Sequence, residues 1–181
     1  MTNGNFEMTS GYYGFLLQTK TGLLTFTAIK KRKMIHFKQL EKNSINLITA
    51  MMSDFYAIDG YPIDIEKSKA LFQQFTDNPE FGLAWLIYTN DTVVGYVILT
   101  FCFSFEYRGR IAILDELYLS DSARGKGIGK KAVAFIQAKA QQLNLKVIYL
   151  EVENHNENAQ KLYLASDFIF HHRKLMKYIV K

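Results

Sequence analysis

Between Arg124 and Lys130 the sequence reads RGKGIGK, with Gly125, Gly127 and Gly129 at every second position, Arg124, Lys126 and Lys130 as cations, and Ile128 apolar. Glycine lets a backbone turn where a Cβ would clash, and lets backbone N–H groups come close to a ligand. At the start of a helix the first four N–H groups have no intrahelical acceptor, and the helix dipole concentrates positive charge there. The stretch therefore predicts an anion site, with phosphate as the anion that such helix starts hold. The competing reading is a plain strand-to-helix turn. It is disfavoured because each glycine in a helix costs roughly 0.5–1 kcal/mol relative to alanine.

Spacing narrows the ligand. A dinucleotide fingerprint needs G-x-G-x-x-G, but counted from Gly125 its last position is Lys130. The phosphate loop of nucleoside triphosphatases needs Lys and then Ser or Thr after its second glycine. Here Gly129-Lys130 is followed by Lys131, and Arg124 stands where the first glycine belongs. What fits is R-x-x-G-x-G, Arg124 to Gly129, which resembles the pyrophosphate loop of the GNAT superfamily of acetyl-CoA-dependent N-acetyltransferases. A second stretch, LEVENHNENAQKLYLASDF from Leu150 to Phe168, resembles the later GNAT segment in which a strand is followed by Asn-x-x-Ala-x-x-Leu-Tyr. Those positions are Asn156, Ala159, Leu162 and Tyr163, and the resemblance covers about residues 34–181. One position departs from the family pattern. Asp167 stands where the family usually has glycine, and Asp tolerates the positive φ such a position implies better than most residues.

The resemblance implies transfer of an acetyl group from acetyl-CoA to a primary amine in a ternary complex. It assigns the acetyl-CoA contacts to Leu117, Tyr118 and Leu119, to Arg124 through Lys130, and to Asn156. An amine is mostly protonated at neutral pH and must lose a proton before it attacks. Glu116, on the strand leading to the bend, and Glu151, on the strand after the helix, are the candidate bases. Tyr163 matches the family's proton donor to the leaving thiolate. Glu151, Asn156 and Tyr163 together resemble a GNAT branch that acetylates protein N-termini. The acceptor side of the fold points to Asp54, Tyr56, Asp59, Tyr61 and Glu106, acids and tyrosines suited to a small cationic amine. Two alternatives stay open: a catalytically silent CoA-binding module, and a protein or peptide amine acetyltransferase.

The elements that must position these residues follow from periodicity. Ile35 to Leu40 predicts a short strand, and Ser44 can cap a helix whose Ile45, Ile48, Met52 and Phe55 recur at helical spacing. A second helix spans residues 65–75, and residues 83–89 and 92–105 predict strands joined by Asn90-Asp91. Gly95 inside the second strand suggests a bulge or a close backbone approach. Residues 111–119 predict a strand, Ile128 to Leu143 an amphipathic helix, 146–152 a strand, 156–166 a short helix, and 168–180 one or two closing strands. The order predicts an α/β single-domain fold, a central mixed β-sheet flanked by helices. Residues 1–33 are expected to be an N-terminal extension of unassigned role, and residues 34–181 the acetyltransferase domain.

The whole chain bounds the rest. Its 181 residues, 49% of them hydrophobic, suit one buried core. Residues 1–50 carry seven positive and two negative charges, 51–116 four and ten, and 117–181 eleven and five, giving +5, −6 and +6. A basic part holding a phosphate-bearing ligand and an acidic part facing a cationic one would give this pattern. No nucleic-acid motif or basic aromatic stripe accompanies the charge, so nucleic acid is not expected as a partner. His36, His155, His171 and His172 lack ligand spacing and Cys102 stands alone, so no metal is expected. No signal peptide and no run near the roughly 18 apolar residues of a membrane span is visible, which predicts a cytoplasmic protein with no membrane partner. A homodimer is left open.

Overall fold

The computed structural model describes residues 12–20, 23–30 and 34–180. Tyr12–Lys20 (β1) and Leu23–Lys30 (β2) pair as an antiparallel hairpin in a compact unit of their own. Most of the basic cluster, residues 31–33, lies outside the described residues.

The second unit, from Ile35 on, is built on five strands: β3 (Ile35–Gln39), β4 (Gly82–Thr89), β5 (Thr92–Ser104), β6 (Gly109–Leu119) and β7 (Ile148–Leu150), in that spatial order. β3 to β6 pair antiparallel and β7 joins β6 in parallel, so the sheet is mixed as expected. Helices α1 (Ile45–Ile58) and α2 (Ile65–Asp77) precede β4, α3 (Ile128–Gln142) connects β6 to β7, and α4 (Glu157–Leu164) follows β7.

Both faces of the sheet are covered, which is why β4 and β5 are almost continuously apolar. Alternation then sorts their side chains. Ala84, Leu86, Tyr96 and Ile98 pack with Ile48, Met52 and Phe72 of α1 and α2. Trp85, Val97 and Leu99 pack with Ile136 of α3, and Ile87 with Ile128 and Ala132. Each fully buried aliphatic side chain contributes about 1.5–3 kcal/mol, so these two layers clamp the sheet between the helices.

Local chemistry matches the expected punctuation. Asn90 takes a φ of +53° in the β4–β5 turn. At Gly95 the β4–β5 register slips, and a Cβ there would collide with the Tyr118 carbonyl, so both roles expected of this glycine are present. Asp167 has a φ of +65°, which accounts for a residue tolerant of that region at the end of α4.

Two strand expectations need correction. The segment expected as a strand over 146–152 is a strand only at Ile148–Leu150. Lys146 N–H still donates to Arg110 O and Ala112 N–H to Val147 O, both at 2.9 Å, so the ladder loses residues mainly at its far end. The closing strands expected over 168–180 are absent. Apolar residues there come in runs, Phe168 to Phe170, Leu175-Met176 and Tyr178 to Val180, with polar and cationic residues between the runs instead of alternating with them, and β7 offers only three residues to pair with. The segment is held by side chains, with His171 against the Tyr149 ring and Arg173 bidentate on Glu106 at 2.8 and 2.6 Å.

Candidate active site

The site begins where two strands part. Ala112, Ile113 and Leu114 face Ile148, Tyr149 and Leu150, after which β7 ends while β6 continues to Leu119. Ser120 N–H donates to Val94 O at 2.9 Å. Donors face a given partner at alternate residues of an antiparallel ladder, so the Tyr118 amide faces β5 and those of Leu117 and Leu119 face the side β7 has left. The Leu119 carbonyl on that side accepts Arg124 Nε at 3.0 Å.

β6 then runs through a short 3-10 turn at Asp121–Ala123 into the glycine bend. Gly125 and Gly127 have φ of +69° and +74°, and no heavy atom lies within 4 Å of where a Cβ on either would stand. These two glycines are required by conformation, and the space above them is open. Gly129 is different: its Cβ would come within 3.1 Å of Leu162 on α4, so it allows α3 and α4 to pack. No side chain caps α3, whose N-cap is Gly127, and the N–H groups of its first turn are left for an anion. Arg124 also pairs with Asp121 at 2.9 Å, and Lys126 donates to the Ser122 carbonyl, so both cations brace the bend. Lys130 is exposed at the start of α3.

On the α1–α2 face a bulge arranges the carboxylates. The β5–β6 register slips between Ile98 and Leu99, which face Glu116 and Leu114, leaving Asp115 as the extra residue. Leu114 and Leu117 both join the core on the α3 side. Two residues fit between them on the other face, and Asp115 and Glu116 both turn toward α1. Glu116 is 8% exposed and accepts the Tyr56 hydroxyl at 2.9 Å and the Tyr96 hydroxyl at 2.7 Å, one on each oxygen. Burial pushes its pKa above the usual carboxylate range and the Asp115 charge adds to this, with the two hydroxyls opposing. Burial also raises the Tyr56 and Tyr96 hydroxyls, with the Glu116 charge next among the causes. Glu151 follows Leu150, which packs toward α3, and therefore faces the α1 side; it is exposed.

The rim joins the loop after α1 to the loop after β7. Tyr61 donates to Glu153 at 2.9 Å, and His155 Nε2 lies 3.0 Å from Asp59 Oδ1. The Tyr61 hydroxyl is raised in pKa, first by that bond to Glu153. The expected acceptor residues Tyr56, Asp59 and Tyr61 thus reach the cleft. Glu106 does not, since it precedes the opposite end of β6 and is paired with Arg173.

Asn156 caps α4, its Oδ1 accepting Ala159 N–H at 3.1 Å. Tyr163 sits on the inner side of α4, packed on the α3-side core with its ring 5.7 Å from Phe168, and burial pushes its hydroxyl up to about 12. Glu116 and Glu151 therefore stand on one face of the sheet and Tyr163 on the other, with the parting of β6 and β7 between them. A concavity of about 960 Å³ lies beside Tyr163 between β7, α3, α4 and the C-terminal stretch, and is lined by none of the bend residues.

Sequence reasoning passed over Asp115, Glu153 and Tyr96. The pair Asp115-Glu116 in an otherwise aliphatic strand was a usable signal, because strict alternation would send two adjacent acids to opposite faces, one of them into the α3-side core, unless the strand bulges.

The profile of the acetyltransferase (GNAT) family matches residues 47–168. The D-amino-acid N-acetyltransferase HPA3 of Saccharomyces cerevisiae is 32% identical over 53 residues, 29% of this chain and only 33% of that protein. An uncharacterised N-acetyltransferase of Bacillus subtilis, YhfO, is 24% identical over 71% of this chain and 86% of its own length. In fold, the chain superposes with a TM-score of 0.67 on a crystal structure of a predicted acetyltransferase with acetyl-CoA from Clostridium acetobutylicum, 16% identical over 80% of this chain and 96% of that one. The match to the family profile, spanning both the glycine bend and the Asn156–Tyr163 helix, places the chain in the acetyltransferase (GNAT) family of acetyl-CoA-dependent N-acetyltransferases.

Proposed function

We propose that the protein acetylates the primary amine of a small cationic acceptor, with the amine attacking acetyl-CoA directly in a ternary complex. The observation that carries this reading is the parting of β6 and β7 beside an uncapped helix start. The gap joins the two faces of the sheet, with carboxylates on one and Tyr163 on the other.

Acetyl-CoA supplies the activated acetyl thioester. The open bend at Gly125 and Gly127 and the free N–H groups of α3 fit its pyrophosphate, with Lys130 adding charge. The amides of Leu117 and Leu119 are donors for the acyl and pantetheine portion along the gap. Asn156 holds the first turn of α4 in place beside it.

Glu151 is the base in this reading, since it is exposed on the acceptor face. Glu116, with a tyrosine hydroxyl on each oxygen, fixes α1 to the sheet and contributes negative charge from below. Tyr163 stays a hydroxyl because burial raises it to about 12, and it is the donor for the departing sulfur. A cationic acceptor is favoured because Asp54, Asp59, Asp115, Glu116, Glu151 and Glu153 converge on the α1 side without a Lys or Arg partner among the described residues. Thiol release from acetyl-CoA across a panel of polyamine, aminoglycoside, lysine-like, neutral and acidic amines tests the reading. Turnover only with neutral or acidic amines would remove the cationic acceptor.

A further inference from the structure

The concavity beside Tyr163 holds about 960 Å³. The methyl of an acetyl group is close in size to a water molecule, whose share of the liquid is about 30 Å³, so acetyl leaves this space almost unused. Its apolar wall is Ile148 and Leu150 of β7, Val152 just past that strand, Leu164 of α4, and Phe168. Leu150 also closes the last rung with β6, and Tyr163 is the donor assigned to the departing sulfur. In that reading one end of the space opens beside the thioester. We propose that the concavity is an acyl site, and that the protein also transfers straight-chain acyl groups as long as octanoyl from their CoA thioesters to the acceptor amine.

The proposal rests on the transferase reading above and extends it to the donor. What selects an alkyl chain is the state of the polar side chains around the wall, which are engaged with the protein. The Tyr107 and Tyr149 hydroxyls bond each other at 2.6 Å, and Gln137 donates to the Ser166 carbonyl at 2.7 Å. Gln160 donates to the carbonyls of Glu153 and Asn154, Lys146 to Asn144, and Arg173 to Glu106. His171 Nδ1 accepts the Arg173 N–H at 3.1 Å. Gln141, Asp167 and His172 are exposed to solvent. A polar ligand would have to displace these bonds, whereas an alkyl chain covers the apolar wall and leaves them intact. Each methylene moved fully from water onto such a wall strengthens binding about fourfold. A chain that stays partly in water gains less per carbon.

The bonds made and broken are those of acetyl transfer. The ammonium gives one proton to the base and so to water, and its lone pair forms the N–C bond to the acyl carbonyl carbon. The C–S bond breaks, and a second proton from the nitrogen reaches the sulfur by way of the Tyr163 hydroxyl. The products are the N-acyl amine, free CoA and one proton, and the alkyl chain takes no part beyond being held.

The test is thiol release by the full chain from acetyl-, butanoyl-, hexanoyl- and octanoyl-CoA, with an amine from the panel and calorimetry on the same thioesters. Affinity should rise along the series to at least about tenfold for octanoyl-CoA over acetyl-CoA, with thiol released from each. Leu164→Trp, which fills the concavity from α4, should lower kcat/KM for octanoyl-CoA about tenfold and leave acetyl-CoA within about twofold. The series on the wild-type chain needs no folded variant. Octanoyl-CoA that binds no tighter than acetyl-CoA, or releases no thiol where acetyl-CoA does, overturns the acyl site and leaves the transferase reading standing. An equal loss for both thioesters in a folded Leu164→Trp chain also overturns it, because the space would then belong to CoA itself. No thiol from any thioester with any amine overturns both.

Discussion

Leu114 and Leu150 form the last rung between β6 and β7, and the site is arranged around the point where that rung ends. Beyond it the strands no longer share hydrogen bonds, so backbone donors of Leu117 and Leu119 become available. The bulge at Asp115 adds a carboxylate on the same stretch. In the proposed reading, one short ladder gives rise to both the donor groove and the acidic acceptor face.

Tyr163→Phe keeps the ring packed on the core and removes only the hydroxyl. Turnover should fall about a hundredfold while acetyl-CoA affinity stays within a factor of two or so. Steady-state kinetics with calorimetry separate the two. Unchanged turnover would take Tyr163 out of the reaction.

Gly127→Val places a β-branched residue at a φ of +74°. A Cβ there meets no protein neighbour, so the cost is mainly backbone strain, about 1–2 kcal/mol, together with blocked access to the α3 amides. Acetyl-CoA binding should weaken by about tenfold or more. Gly129→Ala should act through Leu162 instead, lowering thermal stability more than affinity.

Much of this was legible locally. The bend and α3 are contiguous patterns of glycine, charge and 3.6-residue apolar spacing, so their chemistry needs no tertiary information. Asp167 was legible for the same reason, as a substitute for glycine at a left-handed position. What escaped are contacts made at long range: Glu116 with Tyr56 and Tyr61 with Glu153 join residues 60 and 92 positions apart. The segment 168–180 misled because β-branched and aromatic residues favour strands, yet pairing depends on a neighbouring edge, and β7 presents only three residues.

Glu116→Gln tests the buried network and gives a signed pH effect. The folded pKa of Glu116 is raised, so folding favours its protonated form. Its favourable contribution is present below the ordinary value of 4.5 and is lost as pH rises through the folded value. Denaturant titrations should show wild-type stability falling over that window, with a shallower fall in the variant. Glu116→Ala, which leaves Tyr56 and Tyr96 without their acceptor, should cost about 1–3 kcal/mol.

Asp54→Lys reverses one charge of the acidic face at a position lining the α1–α2 concavity. KM for a cationic acceptor should rise several-fold, with little change in acetyl-CoA affinity. An equal rise for a neutral amine would point to altered packing instead of charge.

The most direct measurement is thiol release from acetyl-CoA by the full chain against the amine panel, with Tyr163→Phe run alongside. Release with polyamine, aminoglycoside or lysine-like acceptors, and its near loss in the variant, is the predicted result. No release with any amine, despite acetyl-CoA binding, would contradict it.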